Sequence, residues 1–180
     1  MWVANQDNEK GNTVSVLRAN DFTNVATYTV GTAPRYIAFD GTNMWVTNYF
    51  TDSVSVLRAS DGFHVMTPTV GYKPQGIAFD GINMWVANHG DNTVSVLRAS
   101  DGFHVMTPTV GAGPWGVAFD GANMWVTNSG PYGGTTVNVL RVSDGFHVMT
   151  PTVGLYPKEI AFDGVNMWVV NANSWTVSKR

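Results

Sequence analysis

Residues 71–110 read GYKPQGIAFDGINMWVANHGDNTVSVLRASDGFHVMTPTV, and residues 31–70, GTAPRYIAFDGTNMWVTNYFTDSVSVLRASDGFHVMTPTV, match them at 29 of 40 positions. A third unit, residues 111–153, is stretched to 43 residues by an insertion spanning Ser129 to Thr135. The ends carry partial copies. Residues 1–30 enter the unit at its middle, at M-W-V-x-N, and residues 154–180 leave it after Thr176-Val177-Ser178. Self-similarity at a period of about 40 residues marks a repeat architecture, in which each unit buries its apolar faces against its neighbours.

Each unit holds four β-rich segments parted by turn residues: Ile77 to Phe79, Met84 to Ala87, Thr93 to Leu97, and His104 to Val110. Asp80-Gly81 separates the first two and Asp101-Gly102 the last two. Asp-Gly suits tight hairpins, because glycine accepts positive φ without a Cβ clash. No segment keeps a 3.6-residue apolar period, so no crossover helix and no parallel sheet are expected. Met84-Trp85-Val86 and Ile77-Ala78-Phe79 are apolar at successive positions, which predicts strands covered on both faces. A four-stranded antiparallel meander covered on both sides is a blade between two blades. The expected fold is all-β, a single β-propeller over residues 1–180, five-sectored with incomplete first and last blades.

The unit P-x-G-I-A-F-D-G-x-N-M-W-V-x-N followed by T-V-S-V-L-R-A-S-D-G resembles the YVTN-type repeats of bacterial β-propellers, relatives of the NHL and virginiamycin B lyase-like propellers. The resemblance covers nearly the whole chain and speaks to fold more than to activity. It implies that the strand after Pro34, Pro74, Pro114 and Pro157 is innermost, and it implies a secreted or cell-surface setting. Three whole units and two three-stranded pieces make eighteen strands, which form no whole number of four-stranded blades. A five-sectored ring, a fragment of a larger ring, and an oligomer in which one copy completes another are the arrangements open at this point. Unpaired edges would favour self-association into a homo-oligomer.

Composition removes several functions. Ten Lys+Arg against 13 Asp+Glu give a formal net charge of -3, which argues against nucleic acid as a partner. There is no cysteine, hence no disulfide, thiolate metal site or cysteine nucleophile. The longest apolar runs, such as Met167 to Val170, are far short of a membrane span, and Met1 to Asn5 does not read as a secretory signal.

Variation among the copies is uneven. The first-to-second turn keeps Asp-Gly-x-Asn and the third-to-fourth turn keeps Ser-Asp-Gly-Phe-His, whereas the second-to-third loop and the lead into strand one change in every copy. In a meander those two variable regions share one side of the molecule. That side collects Tyr36, Tyr49, Phe50, Tyr72, His89, Trp115, Tyr132, Tyr156 and Trp175 as candidate ligand-binding residues, with Arg35, Lys73, Lys158 and Glu159 beside them. Rings offer large contact areas at low entropy cost, and loops on rigid scaffolds carry function. Surface loops also drift freely after duplication, which is the competing explanation.

Asp40, Asp80, Asp120 and Asp163 read as hairpin-turn residues rather than calcium ligands, and His64, His104 and His147, one per unit, as structural. No metal and no cofactor are expected. Trp45, Trp85, Trp125 and Trp168 read as inter-blade core, and Asn48, Asn88, Asn128 and Asn171 as local anchors of the following loop's backbone. No G-x-S-x-G elbow is present, so a serine triad has no starting point. The expectation is a non-enzymatic module that recognises a glycan, peptide or protein on the aromatic side. Two alternatives stand beside it. The resemblance implies a lyase-like, magnesium-dependent enzyme whose catalytic residues would be His89 and Glu159; the incomplete ends imply a structural, self-assembling subunit.

Overall fold

The computed structural model describes residues 1–7, 10–130 and 132–180, and among these every regular element is a β-strand. The first sheet has three strands, β1 (Trp2–Asn5), β2 (Thr13–Leu17) and β3 (Asn24–Thr29). The second has four: β4 (Pro34–Phe39), β5 (Asn43–Asn48), β6 (Ser53–Arg58) and β7 (His64–Met66). The third repeats it with β8 (Pro74–Phe79), β9 (Asn83–Asn88), β10 (Thr93–Arg98) and β11 (His104–Met106). The fourth contains β12 (Pro114–Phe119), β13 (Asn123–Asn128), β14 (Thr136–Arg141) and β15 (His147–Met149), and the fifth β16 (Pro157–Phe162), β17 (Met167–Asn171) and β18 (Thr176–Lys179). All pairings are antiparallel between chain neighbours. Strands β4, β8, β12 and β16 pack in succession around the axis.

Two strand boundaries differ from the sequence reading. The innermost strands begin at the proline, three residues earlier than the apolar run suggests, because a bulge lies inside each. In the second sheet Pro34 pairs with Asn48 and Ile37 with Val46, leaving Arg35 and Tyr36 opposite Thr47. The outermost strands are shorter than expected. His104–Met106 is followed by Thr107-Pro108, and pairing resumes at a bridge from Thr109 to Thr93. Proline has no N–H to give the ladder and is tolerated there because the strand is an edge; its carbonyl still accepts from Val94 N at 2.9 Å.

The core consists of repeated interfaces between sheets. Trp45, Val54 and Val56 on one face of the second sheet meet Ile77, Met84, Val86 and Leu97 of the third. Trp85, Val94 and Val96 meet Met124, Val126 and Leu140 in the same way. Along each strand alternate residues serve alternate interfaces, which is why successive positions are apolar. The expected tryptophan core holds for Trp45 and Trp85, both at 0% exposure, and for the half-buried Trp125. It fails for Trp168, which is 39% exposed because no sheet covers that face of the fifth.

The conserved turn aspartate does two jobs. Asp80 Oδ1 accepts from the backbone N–H of Ile82 at 2.8 Å and of Asn83 at 2.6 Å, closing the turn around Gly81 at φ 101°. Its Oδ2 accepts from Trp85 Nε1 at 2.7 Å, and Asp40, Asp120 and Asp163 hold Trp45, Trp125 and Trp168 likewise. A buried indole N–H needs such a partner. Partial burial pushes Asp40 and Asp120 up, but the hydrogen bonds outweigh it and leave both carboxyls below the ordinary value of 3.8; Asp163 is lowered first by its Trp168 bond. Groups depressed in the folded state stabilise it above their unfolded pKa and lose that contribution as pH falls. Denaturant unfolding is therefore expected to show stability dropping from about pH 4 downward, and Asp120→Asn should flatten that slope; an unchanged slope would contradict the assignment.

The invariant asparagines behave differently from the expectation. Asn88 Nδ2 donates to Thr93 Oγ1 and Ser95 Oγ, both at 2.9 Å, and Asn48, Asn128 and Asn171 likewise donate to side chains of the third strand rather than to a loop backbone. They tie the second strand to the third at the variable end of each blade. Backbone contact does occur at Asn88, whose Oδ1 accepts from Gly71 N at 3.1 Å.

Candidate functional site

The variable segments of each unit are held together. Tyr49 N donates to Ala33 O at 3.0 Å, His89 N to Lys73 O at 3.1 Å, Ser129 N to Gly113 O at 3.0 Å and Ala172 N to Tyr156 O at 2.9 Å, so each second-to-third loop is bonded to its own lead into strand one. Residues before the inner prolines sit in the left-handed region, with φ 57° at Lys73 and 59° at Tyr156. That conformation costs a non-glycine residue roughly 1–2 kcal/mol. At Lys73 the backbone N–H is caught by Asp52 Oδ1 at 2.9 Å, and Tyr72 N by Asp91 Oδ2 at 2.6 Å.

Bulges decide what reaches the axis. The two residues after each proline are Arg35 and Tyr36, Gln75 and Gly76, Trp115 and Gly116, and Lys158 and Glu159. They belong to the inner strands, not to the preceding loops where the sequence reading placed Tyr36, Trp115 and Glu159. A bulge re-aims side chains and is common beside functional sites. Threonines of the second strands brace these bulges, Thr47 Oγ1 accepting from Tyr36 N at 3.0 Å and Thr127 Oγ1 from Gly116 N at 2.8 Å.

Three inner strands converge through their side chains. Trp115 Nε1 donates to Tyr36 Oη at 2.7 Å, and Tyr36 Oη donates to Glu159 Oε1. The partners are 79 and 123 residues apart in the chain. Lys158 Nζ lies 2.9 Å from the Trp115 ring centroid and 5.6 Å from that of Tyr156. His89 meets Trp115 edge-on at 5.3 Å. A second group lies next to the first: Arg35 stacks 4.5 Å over Tyr49, and Lys73 Nζ is 5.7 Å from the Tyr49 ring and 5.0 Å from that of Tyr72. Phe50, 48% exposed, packs edge-on against Tyr49 at 4.9 Å.

Electrostatics follow from this crowding. Burial, then the Glu159 hydrogen bond and charge, push the Tyr36 hydroxyl well above its usual value, so it stays a neutral donor. His89 is lowered by burial and by Lys158 and Lys73, despite the Pro114 carbonyl 3.3 Å from Nδ1; it is neutral at pH 7. Burial and Arg35 also lower Lys158, against the opposing charge of Glu159. Acidic residues concentrate at the other end of the blades, where Asp40, Asp80, Asp120 and Asp163 occupy the first-to-second turns. There Arg18, Arg58, Arg98 and Arg141 are each paired with an aspartate three residues on.

Of the nine expected ligand-binding residues, the structure brings Tyr36, Trp115, His89 and Tyr156 into the first group and Tyr49, Phe50 and Tyr72 into the second. Tyr132, 98% exposed in the insertion, and Trp175, 92% exposed on the fifth sheet, stand apart. The His89 imidazole and the Glu159 carboxylate are each engaged by a different partner, Trp115 and Tyr36 respectively. Among the described residues no group of three His, Asp or Glu is arranged to hold a metal ion. Sequence reasoning missed Gln75, which is 1% exposed beside the axis with its Oε1 lacking a partner. Its only signal was its alignment with Arg35, Trp115 and Lys158.

Sheets of this kind, stacked about an axis by their innermost strands, define a β-propeller. The chain is similar to a chain of Kuenenia stuttgartiensis hydrazine synthase, with a TM-score of 0.66 and 21% identity over 82% of this chain and 48% of that one. It thus spans about half the length of that chain, and the likeness concerns the fold. No protein-family model matches the sequence, and no curated protein matches it.

Proposed function

We propose that this YVTN-like propeller is a non-enzymatic recognition module whose ligand bears carboxylates and is taken at the axial mouth by Trp115, Tyr36, Lys158, Arg35, Lys73 and Tyr72. The observation that carries the reading is the convergence of Trp115, Tyr36 and Glu159 from three inner strands, at positions the repeat leaves free to vary. Cations resting on aromatic faces make a surface that offers charge to an anion and flat apolar area to the rest of the molecule. Glu159 is engaged by Tyr36, Asp52 and Asp91 hold backbone N–H groups, and Lys158 and Lys73 lie over the rings of Trp115, Tyr49 and Tyr72.

Calorimetric titration with oligogalacturonate and with oligoglutamate tests this and separates a glycan from a peptide. Saturable binding of one probe is expected, weakened at least about tenfold by Trp115→Ala and made less salt-dependent by Lys158→Ala. Absence of saturable binding to both probes, or a Trp115→Ala variant that is folded and binds as tightly as the parent, would overturn it.

A further inference from the structure

Two pockets recur at the same place in successive sheets, away from the axis. The first, about 330 Å³, lies between the outermost strand of the first sheet and the third and fourth strands of the second, lined by Val30, Thr51, Ser53, Ser55, His64 and Thr67. The second, about 430 Å³, lies one sheet on, where Val70, Asp91, Thr93, Ser95, His104 and Thr107 take the same places. Both volumes fall within the roughly 300–1,000 Å³ of small-molecule sites. Each pocket is walled by two sheets stacked within the molecule and shares no residue with the axial mouth. Its floor is polar and buried. Ser55, 2% exposed, accepts at Oγ from Asn48 Nδ2 at 3.0 Å and from Gly31 N at 3.2 Å. Ser95, 1% exposed, accepts from Asn88 Nδ2 at 2.9 Å and from Gly71 N at 3.3 Å. A hydroxyl has two lone pairs and one hydrogen, so in both serines only the O–H is left. Among the described residues no acceptor takes either hydrogen, at a depth where an unmade hydrogen bond is costly. On the rim His64 Nε2 meets Thr67 Oγ1 at 2.7 Å, and His104 Nε2 meets Thr107 Oγ1 at 3.2 Å.

We propose that each pocket takes one neutral sugar residue, a hydroxyl of which accepts the hydrogen of Ser55 or Ser95 while its neighbours meet the histidine and threonine rim. The lining of the first pocket holds no Lys, Arg, Asp or Glu, and Asp91 in the second is engaged by Tyr72 N at 2.6 Å, so neither selects a charged ligand. Hydroxyls alternate with the methyls of threonine and valine, which matches a pyranose ring, apolar on its C–H faces and hydroxylated at its edge. A peptide strand finds no ladder to extend, because the outermost strands are three residues long and give way to Thr67-Pro68 and Thr107-Pro108, where proline has no N–H. Two such sites on one chain make the capture of a glycan bearing the sugar more than once multivalent.

Calorimetric titration of the full chain with the methyl pyranosides of glucose, galactose, mannose, fucose and N-acetylglucosamine, each to about 20 mM, is the test. One of them is expected to bind saturably, at two equivalents per chain. Ser55→Asn and Ser95→Asn copy the fourth sheet, where Asn138 Oδ1 accepts from Asn128 Nδ2 at 2.8 Å and from Gly111 N at 2.7 Å, so the internal bonds are kept while the larger amide fills the floor. Each is expected to remove one equivalent, and the double variant to abolish binding. Matching far-UV melts confirm that the variants are folded. If they are not, His64→Ala with His104→Ala, both on the exposed rim, takes their place, with affinity expected to fall at least about tenfold. Absence of saturable binding by every one of these glycosides would overturn the proposal, water alone then filling the pockets. So would a folded double variant that binds the sugar as the parent does. The probes carry no carboxylate, so this result and the one at the axial mouth hold or fail separately.

Discussion

Trp85→Ala is expected to destabilise the chain by about 3–5 kcal/mol, seen as a lower denaturant midpoint in equilibrium unfolding. Trp85 is at 0% exposure, packed with Val94 and Val96 against Met124, Val126 and Leu140. Truncation removes the apolar contact, leaves a cavity that two β-sheets can close only by moving together, and strands the Asp80 carboxylate that accepted the indole N–H. The same change at Trp168, 39% exposed on an uncovered face, should cost much less. Equal losses at the two sites would contradict the repeated-interface account of the core.

Gly116→Ala is expected to damage both stability and the axial site. A Cβ at Gly116 would lie 2.3 Å from the Lys158 carbonyl oxygen and 3.2 Å from Ile160 Cγ2. The first of these is backbone, so β16 must shift outward, carrying Lys158 away from Trp115 and Glu159 away from Tyr36. Overpacking of this kind typically costs about 1–3 kcal/mol. Gly121→Ala provides the contrast. Nothing lies within 4 Å of its Cβ, but its φ of 96° is strained for alanine, so it should lower stability and leave ligand binding intact. A Gly116→Ala chain with parental stability and binding would show that the inner strands are not held at the spacing observed.

Glycine at this slot in β8 and β12 explains the convergence next to it. Gly76 faces the Trp115 carbonyl as closely as Gly116 faces that of Lys158, and the inner strands approach at backbone distance. At the same slot in β4 and β16 stand Tyr36 and Glu159, whose side chains span the axis to each other. Gly76 and Gly116 thus let β8 and β12 lie at backbone distance from the next inner strand, while Tyr36 and Glu159 bond to each other.

The blade was legible because its signals are local. Asp80-Gly81 and Asp101-Gly102 mark hairpins within a few residues, and the consecutive apolar positions of Met84-Trp85-Val86 report two covered faces. The aspartate's second job was written in the constant spacing of Asp80 and Trp85, and went unread because the turn alone accounts for an Asp-Gly pair. The aromatic side was legible as composition, but membership of the site was not: Tyr132 and Trp175 satisfy the same pattern as Trp115 yet lie on the insertion and the fifth sheet.

What the sequence by itself determined is the unit and its chemistry: a four-stranded meander of period about 40, its consecutive apolar positions, and the positions free to change, since each depends on neighbours along the chain or on a similar neighbouring copy. Tertiary structure alone decided which free positions meet. Tyr36, Trp115 and Glu159 are brought together by the curvature of the stacked sheets and the bulges in their inner strands, and curvature is a property of how blades pack rather than of any one blade. The same packing left Trp168 in solvent although its motif is the same as that of the buried Trp85, because burial depends on what stands opposite a side chain.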